Sequence, residues 1–85
     1  MNKQKLLERI EGNSKNISYS DFVALIEAFG FKRTRGKGSH EIYRRENVSS
    51  IINIQNSKGK AKPYQVEQFL EVIKKFNLRL EGNNE

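Results

Sequence analysis

Val66, Phe69, Leu70, Ile73 and Phe76 recur at i, i+3, i+4, i+7 and i+10, a spacing that places all five on one stripe of an α-helix. Such a stripe is stable only against a second apolar surface, so the rest of the chain must provide one. Pro63 stands at the N1 position, where its fixed φ and missing N–H do no harm. Lys74 and Lys75 suit the negative pole at the far end.

A second helix is signalled over residues 18–29. Ser18 is an N-cap with Asp21 three residues on, and Ile17 and Phe22 fit the N′ and N4 positions of a hydrophobic staple. Phe22, Leu25, Ile26 and Phe29 form its apolar stripe, and Gly30 closes it as a C′ residue. Leu6, Leu7 and Ile10 predict a short first helix over Lys3–Glu11, stopped at Gly12-Asn13.

The middle of the chain changes period. Phe31–Arg35, His40–Arg45 and Ser49–Gln55 read as three strands, with Gly36-Lys37-Gly38 as the first turn. Ile52 and Ile54 alternate with Ile51 and Asn53, giving one apolar face. In the second strand His40 shares a face with Ile42, and Glu41 with Tyr43. A bulge near Gly38 would shift that phase, so the pattern does not assign His40 to a face. Asn56–Lys62 reads as a mobile basic loop, and Glu81–Glu85 as a disordered tail. The expected architecture is α+β: a helix, a three-stranded antiparallel sheet and a helix, both helices on one face, with the extra N-terminal helix packed outside. Residues 1–85 are read as one domain with a core over about residues 18–80.

Charge is uneven along this layout. Residues 32–62 hold nine Lys/Arg against Glu41 and Glu46, net +7, and the other 54 residues hold seven against eight, net −1. The whole excess of +6 therefore lies in one segment, as a nucleic-acid footprint would. The chain's one histidine lies within it, in Arg35-Gly36-Lys37-Gly38-Ser39-His40. Histidine exchanges a proton near neutral pH, cations attract a polyanion, and glycines let backbone approach it. His40 is the candidate catalytic residue. Arg35, Lys37, Gly38, Ser39 and Lys58 are the candidates for contacts to RNA. With no cysteine and one histidine, no disulfide and no ordinary zinc site is available, so neither metal nor cofactor is expected. No apolar run approaches the ~20 residues of a membrane span, and a soluble cytoplasmic protein without membrane partners is the expectation.

Residues 20–78 resemble the HicA-type mRNA interferase toxins of bacterial toxin–antitoxin systems. The likeness rests on Phe29-Gly30-Phe31 at a helix end, on Gly38-Ser39-His40 with Tyr43 three residues on, and on Lys62-Pro63-Tyr64-Gln65-Val66 opening the last helix. It implies a fold like the double-stranded-RNA-binding domain, RNA cleavage dependent on the motif histidine, and a HicB-like antitoxin partner. RNA supplies its own nucleophile, the 2′-OH, so cleavage needs a base, an acid and charge stabilisation. Lys37, Tyr43, Tyr64 and water are the candidates for the second proton-transfer role. Two other classes fit the composition: a non-catalytic nucleic-acid-binding module, and a basic protein-interaction domain.

Overall fold

The computed structural model describes residues 2–80, without the side chain of Lys37. The expected tail at 81–85 lies outside the described residues. The elements are α1 (Lys3–Gly12), α2 (Tyr19–Ala28), β1 (Lys32–Lys37), β2 (His40–Arg44), β3 (Ile52–Ser57), β4 (Lys60–Ala61) and α3 (Pro63–Lys75). The sheet is antiparallel in the order β1-β2-β3-β4. This is the expected α+β arrangement, consistent with a double-stranded-RNA-binding-domain-like fold, with one strand more than the sequence pattern predicts.

Local chemistry sets the helix ends. Ser18 Oγ accepts from Asp21 N at 3.1 Å, the N-cap bond expected there. At the other end of α2, Gly30 takes φ +91°. Its N–H donates to Glu27 O and that of Phe31 to Ile26 O, the paired bonds of a Schellman cap. Asn77, φ +54°, closes α3 in the same way, with Leu78 N donating to Ile73 O at 2.9 Å. Asparagine takes the glycine role there, which periodicity alone does not reveal.

The segment expected to be a mobile loop is a pinned hairpin. Lys58 and Gly59 both have positive φ, +53° and +84°, the conformation of a two-residue I′ turn. It returns the chain as β4, whose outer edge is held by Ala61 N donating to Ile17 O and Tyr19 N donating to Gly59 O. A tight turn and two backbone tethers therefore fix this region, and its charge conceals them from a pattern reading.

The core gathers on the helix side of the sheet. Phe69 of α3 sits edge-to-face against Phe22, Phe29 and Phe31, with centroids 5.7, 5.6 and 6.0 Å away, the favoured geometry for aromatic pairs. Tyr43, Ile52 and Ile54 close the layer from the strands. Helix α1 is not an outer addition: its Leu6 and Ile10, 3% and 1% exposed, belong to this same cluster. The core thus reaches beyond the expected 18–80 span.

Candidate nucleic-acid interface

The other face of the sheet carries no helix among the elements described, and its composition is polar and cationic. Tyr43 decides which strand residues lie there. It is buried, at 2% exposure, and pairs with the buried Ile52, so Glu41 and Tyr43 face the helices. Alternation then puts His40, Ile42 and Arg44 on the open face. On β3 the partners of His40 and Ile42 are Gln55 and Asn53. The ambiguity left by the β2 pattern is resolved by one buried ring.

On β1 the register skips a residue: Arg33 opposes Tyr43 but Arg35 opposes Ile42. Thr34 is the extra residue of a β-bulge, which reverses the phase of the strand. Its Oγ1 donates to Ile42 O at 3.2 Å and holds it in place. The bulge lies at Thr34 of β1, and the β2 register runs without a shift from His40 to Tyr43. Because of the bulge, Arg35 sits on the open face beside Ile42, while Arg33 points to the helix side and meets Glu41 at 3.1 Å.

His40 opens β2 and is exposed. Its Nδ1 lies 3.4 Å from Asn53 Oδ1. With the amide oxygen as acceptor Nδ1 is the donor, and in the neutral ring Nε2 is then the nitrogen with a lone pair. Gly38 and Ser39 form the turn just before it, a two-residue turn in place of the expected Gly36-Lys37-Gly38, of which Gly36 and Lys37 belong to β1. Gly38 has φ +61° and Ser39 is not positive, the glycine-first pattern of a II′ turn. Ser39 Oγ accepts from Gln55 Nε2 at 3.1 Å, and Ser39 O accepts from Asn56 N at 3.4 Å. Gly36 is a strand residue opposite Glu41. A Cβ there would meet the Arg33 guanidinium at 2.5 Å and His40 O at 3.1 Å, so glycine makes room for the Arg33–Glu41 pair.

Of the residues expected in the site, Gly38, Ser39, His40 and Arg35 are brought together on this face and its terminal turn. Lys58 occupies the β3–β4 turn at the same end of the sheet, since Asn56, two residues earlier, bonds Ser39. Lys37 pairs with His40 through the backbone register; its side chain lies outside the described residues. Three amides were not in the expected set. Asn53 and Gln55 were foreshadowed by Ile52-Asn53-Ile54-Gln55, where alternation puts them opposite the isoleucines. Gln65, 5% exposed, gave no signal. Its Oε1 accepts from Gln55 N at 2.9 Å, taking the place of a strand partner where β4 ends.

Two tyrosines have shifted acidities, and both are on the far side. Burial, then the hydrogen bond to Glu41 and its charge, hold the Tyr19 hydroxyl well above its ordinary value. Burial, then the Glu41 charge, raise Tyr43 as well. Tyr43 is thereby removed from the candidates for proton transfer: it is buried, faces away from His40 and resists ionisation. Tyr64, 53% exposed, stays among them by position at the start of α3. Among the described residues, no three His, Cys, Asp or Glu side chains converge as a metal site. No helix among them is long and apolar enough to cross a membrane.

Comparison with known proteins agrees with the residue reading. A family model for the HicA toxin of bacterial toxin–antitoxin systems matches residues 19–75. No curated protein and no solved structure matches the chain.

Proposed function

The chain belongs to the HicA toxin family of bacterial toxin–antitoxin systems, and from that premise we propose that it is a ribonuclease that cleaves mRNA without a metal ion. A toxin of this kind implies an antitoxin partner, which we take to be HicB-like. The observation that carries the reading is His40: exposed, on a cationic face, with Nδ1 beside the Asn53 oxygen.

In this reading Nε2 of His40 takes the proton of a 2′-OH, and the 2′-oxygen attacks the adjacent phosphorus. The O2′–P bond forms, the P–O5′ bond breaks, and the 5′-oxygen leaves with a proton from a second donor. The products are a 2′,3′-cyclic phosphate and a 5′-hydroxyl. Arg35 and the Gly38-Ser39 turn offset charge on the phosphate, with Lys37 and Lys58 as further contacts. Lys37, Tyr64 or water gives the second proton.

The test is incubation of the purified chain with single-stranded RNA in excess chelator. New fragments ending in cyclic phosphate are expected, and none with DNA of the same sequence. His40→Ala should remove both cleavage and the growth arrest caused by expression without antitoxin, while the fold persists. Cleavage lost on chelation refutes the metal-free mechanism. RNA bound but left intact refutes catalysis and leaves a binding module. A folded His40→Ala protein that still cuts removes His40 from the chemistry.

A further inference from the structure

The open face continues well past His40. Lys32 and Arg44 sit directly opposite each other in the β1–β2 register, and both are exposed. Arg44 lies four residues along β2 from His40, on the same side of the sheet. At ~3.3 Å per residue the two positions are about 13 Å apart. With Gly30, Arg45, Glu46 and Asn47 the pair lines a shallow hollow of about 350 Å³.

Two features set this pair apart from a solvated basic surface. Like charges directly opposed across strands, with Cβ atoms ~5 Å apart, weaken a sheet, and neither Lys32 nor Arg44 has a carboxylate partner among the described residues. The arrangement is also built by the bulge. Lys32 and Arg35 are three residues apart, and in an unbroken strand an odd separation puts them on opposite faces. The extra residue Thr34 brings both to the His40 side and sends Arg33 to its carboxylate on the other. The outcome is a line across the face that runs from His40 at one end through Arg35, beside Ile42, to the paired cations Lys32 and Arg44 at the other end.

We propose that Lys32 and Arg44 form a second phosphate subsite, which takes a phosphodiester of the same RNA strand roughly two to four nucleotides from the one at His40. The proposal rests on the reading of this face as RNA-binding. A single strand presents a phosphate at every nucleotide, advancing about 3.4 Å along the axis per nucleotide when helical and further when extended. The ~13 Å from His40 to the Lys32–Arg44 pair fits several of them in succession. Backbone contacts of this sort position the strand without reading its bases. They hold the substrate by a part that does not react, so that the scissile bond is delivered to His40 in register.

The experiment measures binding of 2′-O-methyl oligoribonucleotides, which cannot be cleaved, by fluorescence anisotropy. A short probe of about two nucleotides cannot span the face, and a long one of about eight can. Wild-type affinity should rise from short to long, and the rise should shrink about five- to tenfold in the Lys32→Ala/Arg44→Ala double variant. The logarithmic salt slope for the long probe should be shallower by about 0.7 for each phosphate that is no longer neutralised. Glu46→Gln, which removes the one carboxylate lining the hollow, should tighten the long probe, a gain that misfolding cannot produce. The double variant should also melt no lower than wild type, because an unfavourable pair has gone.

The proposal is overturned if the length-dependent rise survives in the double variant, if that variant is destabilised, or if the substitutions weaken antitoxin binding while RNA binding stays the same. In each of these cases the wild type still binds RNA and the proposed function stands. Failure of wild type to bind either probe overturns both.

Discussion

Replacing Gln65 by leucine should loosen the strand that carries the amides beside His40, at a cost that follows from one hydrogen bond. Gln65 is 5% exposed and its Oε1 accepts from Gln55 N at 2.9 Å. Leucine has nearly the same volume and no acceptor, so the Gln55 N–H is left unpaired. An unsatisfied buried donor costs about 1–3 kcal/mol; Gln55 is half-buried, so water repays part, and about 1–2 kcal/mol is expected. For a domain of this size that lowers Tm by roughly 5–15 °C. Tyr64→Phe is the control. It removes only the outer bond, from Gln65 Nε2 to the Tyr64 hydroxyl at 3.3 Å, on a ring that is largely exposed, and should cost under about 0.5 kcal/mol. Thermal melts give the size of the effect, and amide hydrogen exchange locates it, with Gln55 losing protection before its neighbours. A Gln65→Leu protein that melts with wild type and keeps the Gln55 amide protected would refute the claim that this side chain substitutes for a strand.

Three further outcomes are expected. Phe69→Ala removes the ring that three other phenylalanines meet edge-on and should cost about 3–5 kcal/mol, leaving a substantial unfolded fraction at 37 °C by circular dichroism, whereas Phe69→Leu stays folded. Asn53→Leu should lower the cleavage rate on the order of tenfold with KM little changed, because the imidazole loses its Nδ1 partner while every phosphate-binding group stays in place; Asn53→Asp, which keeps an acceptor, should restore most of it, and equal rates for all three proteins would exclude an orienting role. Tyr19 ionises less readily folded than unfolded, so its contribution to stability is complete below its ordinary value of 10.0 and is lost as pH rises above that. Urea melts from pH 8 to 11 should therefore show a shallower alkaline decline in Tyr19→Phe, with Tyr43, shifted the same way, leaving some slope.

The parts of the fold that were legible in the sequence are those fixed by local chemistry. Ser18, Gly30 and Pro63 mark helix ends through their own backbone preferences, and the stripes through Phe22 and Phe69 follow from helical spacing. What escaped depends on partners distant in the chain. Whether β2 turns His40 outward depends on Tyr43 finding Ile52, and no pattern within β2 itself contains that information. The Thr34 bulge is an event of register between two strands. β4 exists because Ile17 and Tyr19, far earlier in the chain, hold its outer edge. The candidate site was half legible: the basic Gly-Ser-His stretch marks its own turn, but Asn53, Gln55 and Gln65 join it only once β3 lies between β2 and α3.

The two faces of the sheet separate the buried core from the candidate site, and the bulge is where β1 changes sides. On the helix side Tyr43, Ile52 and Ile54 belong to the same buried cluster as the phenylalanines, and Glu41 there pairs with Arg33 and accepts from the Tyr19 hydroxyl. On the open side Lys32, Arg35 and Arg44 are exposed, and Lys32 and Arg44 are set against one another. A chain this short has little stability to spare, and its buried core draws on none of the open-face residues His40, Arg35 and Arg44. It follows that substitutions at His40, Arg35 or Arg44 should alter RNA handling with changes in stability within about 0.5 kcal/mol. Those at Tyr43 or Ile54, directly behind them on the same sheet, should do the reverse. A substitution of Arg44 as destabilising as one of Ile54 would show that the open face also supports the fold, and the separation of roles would fail.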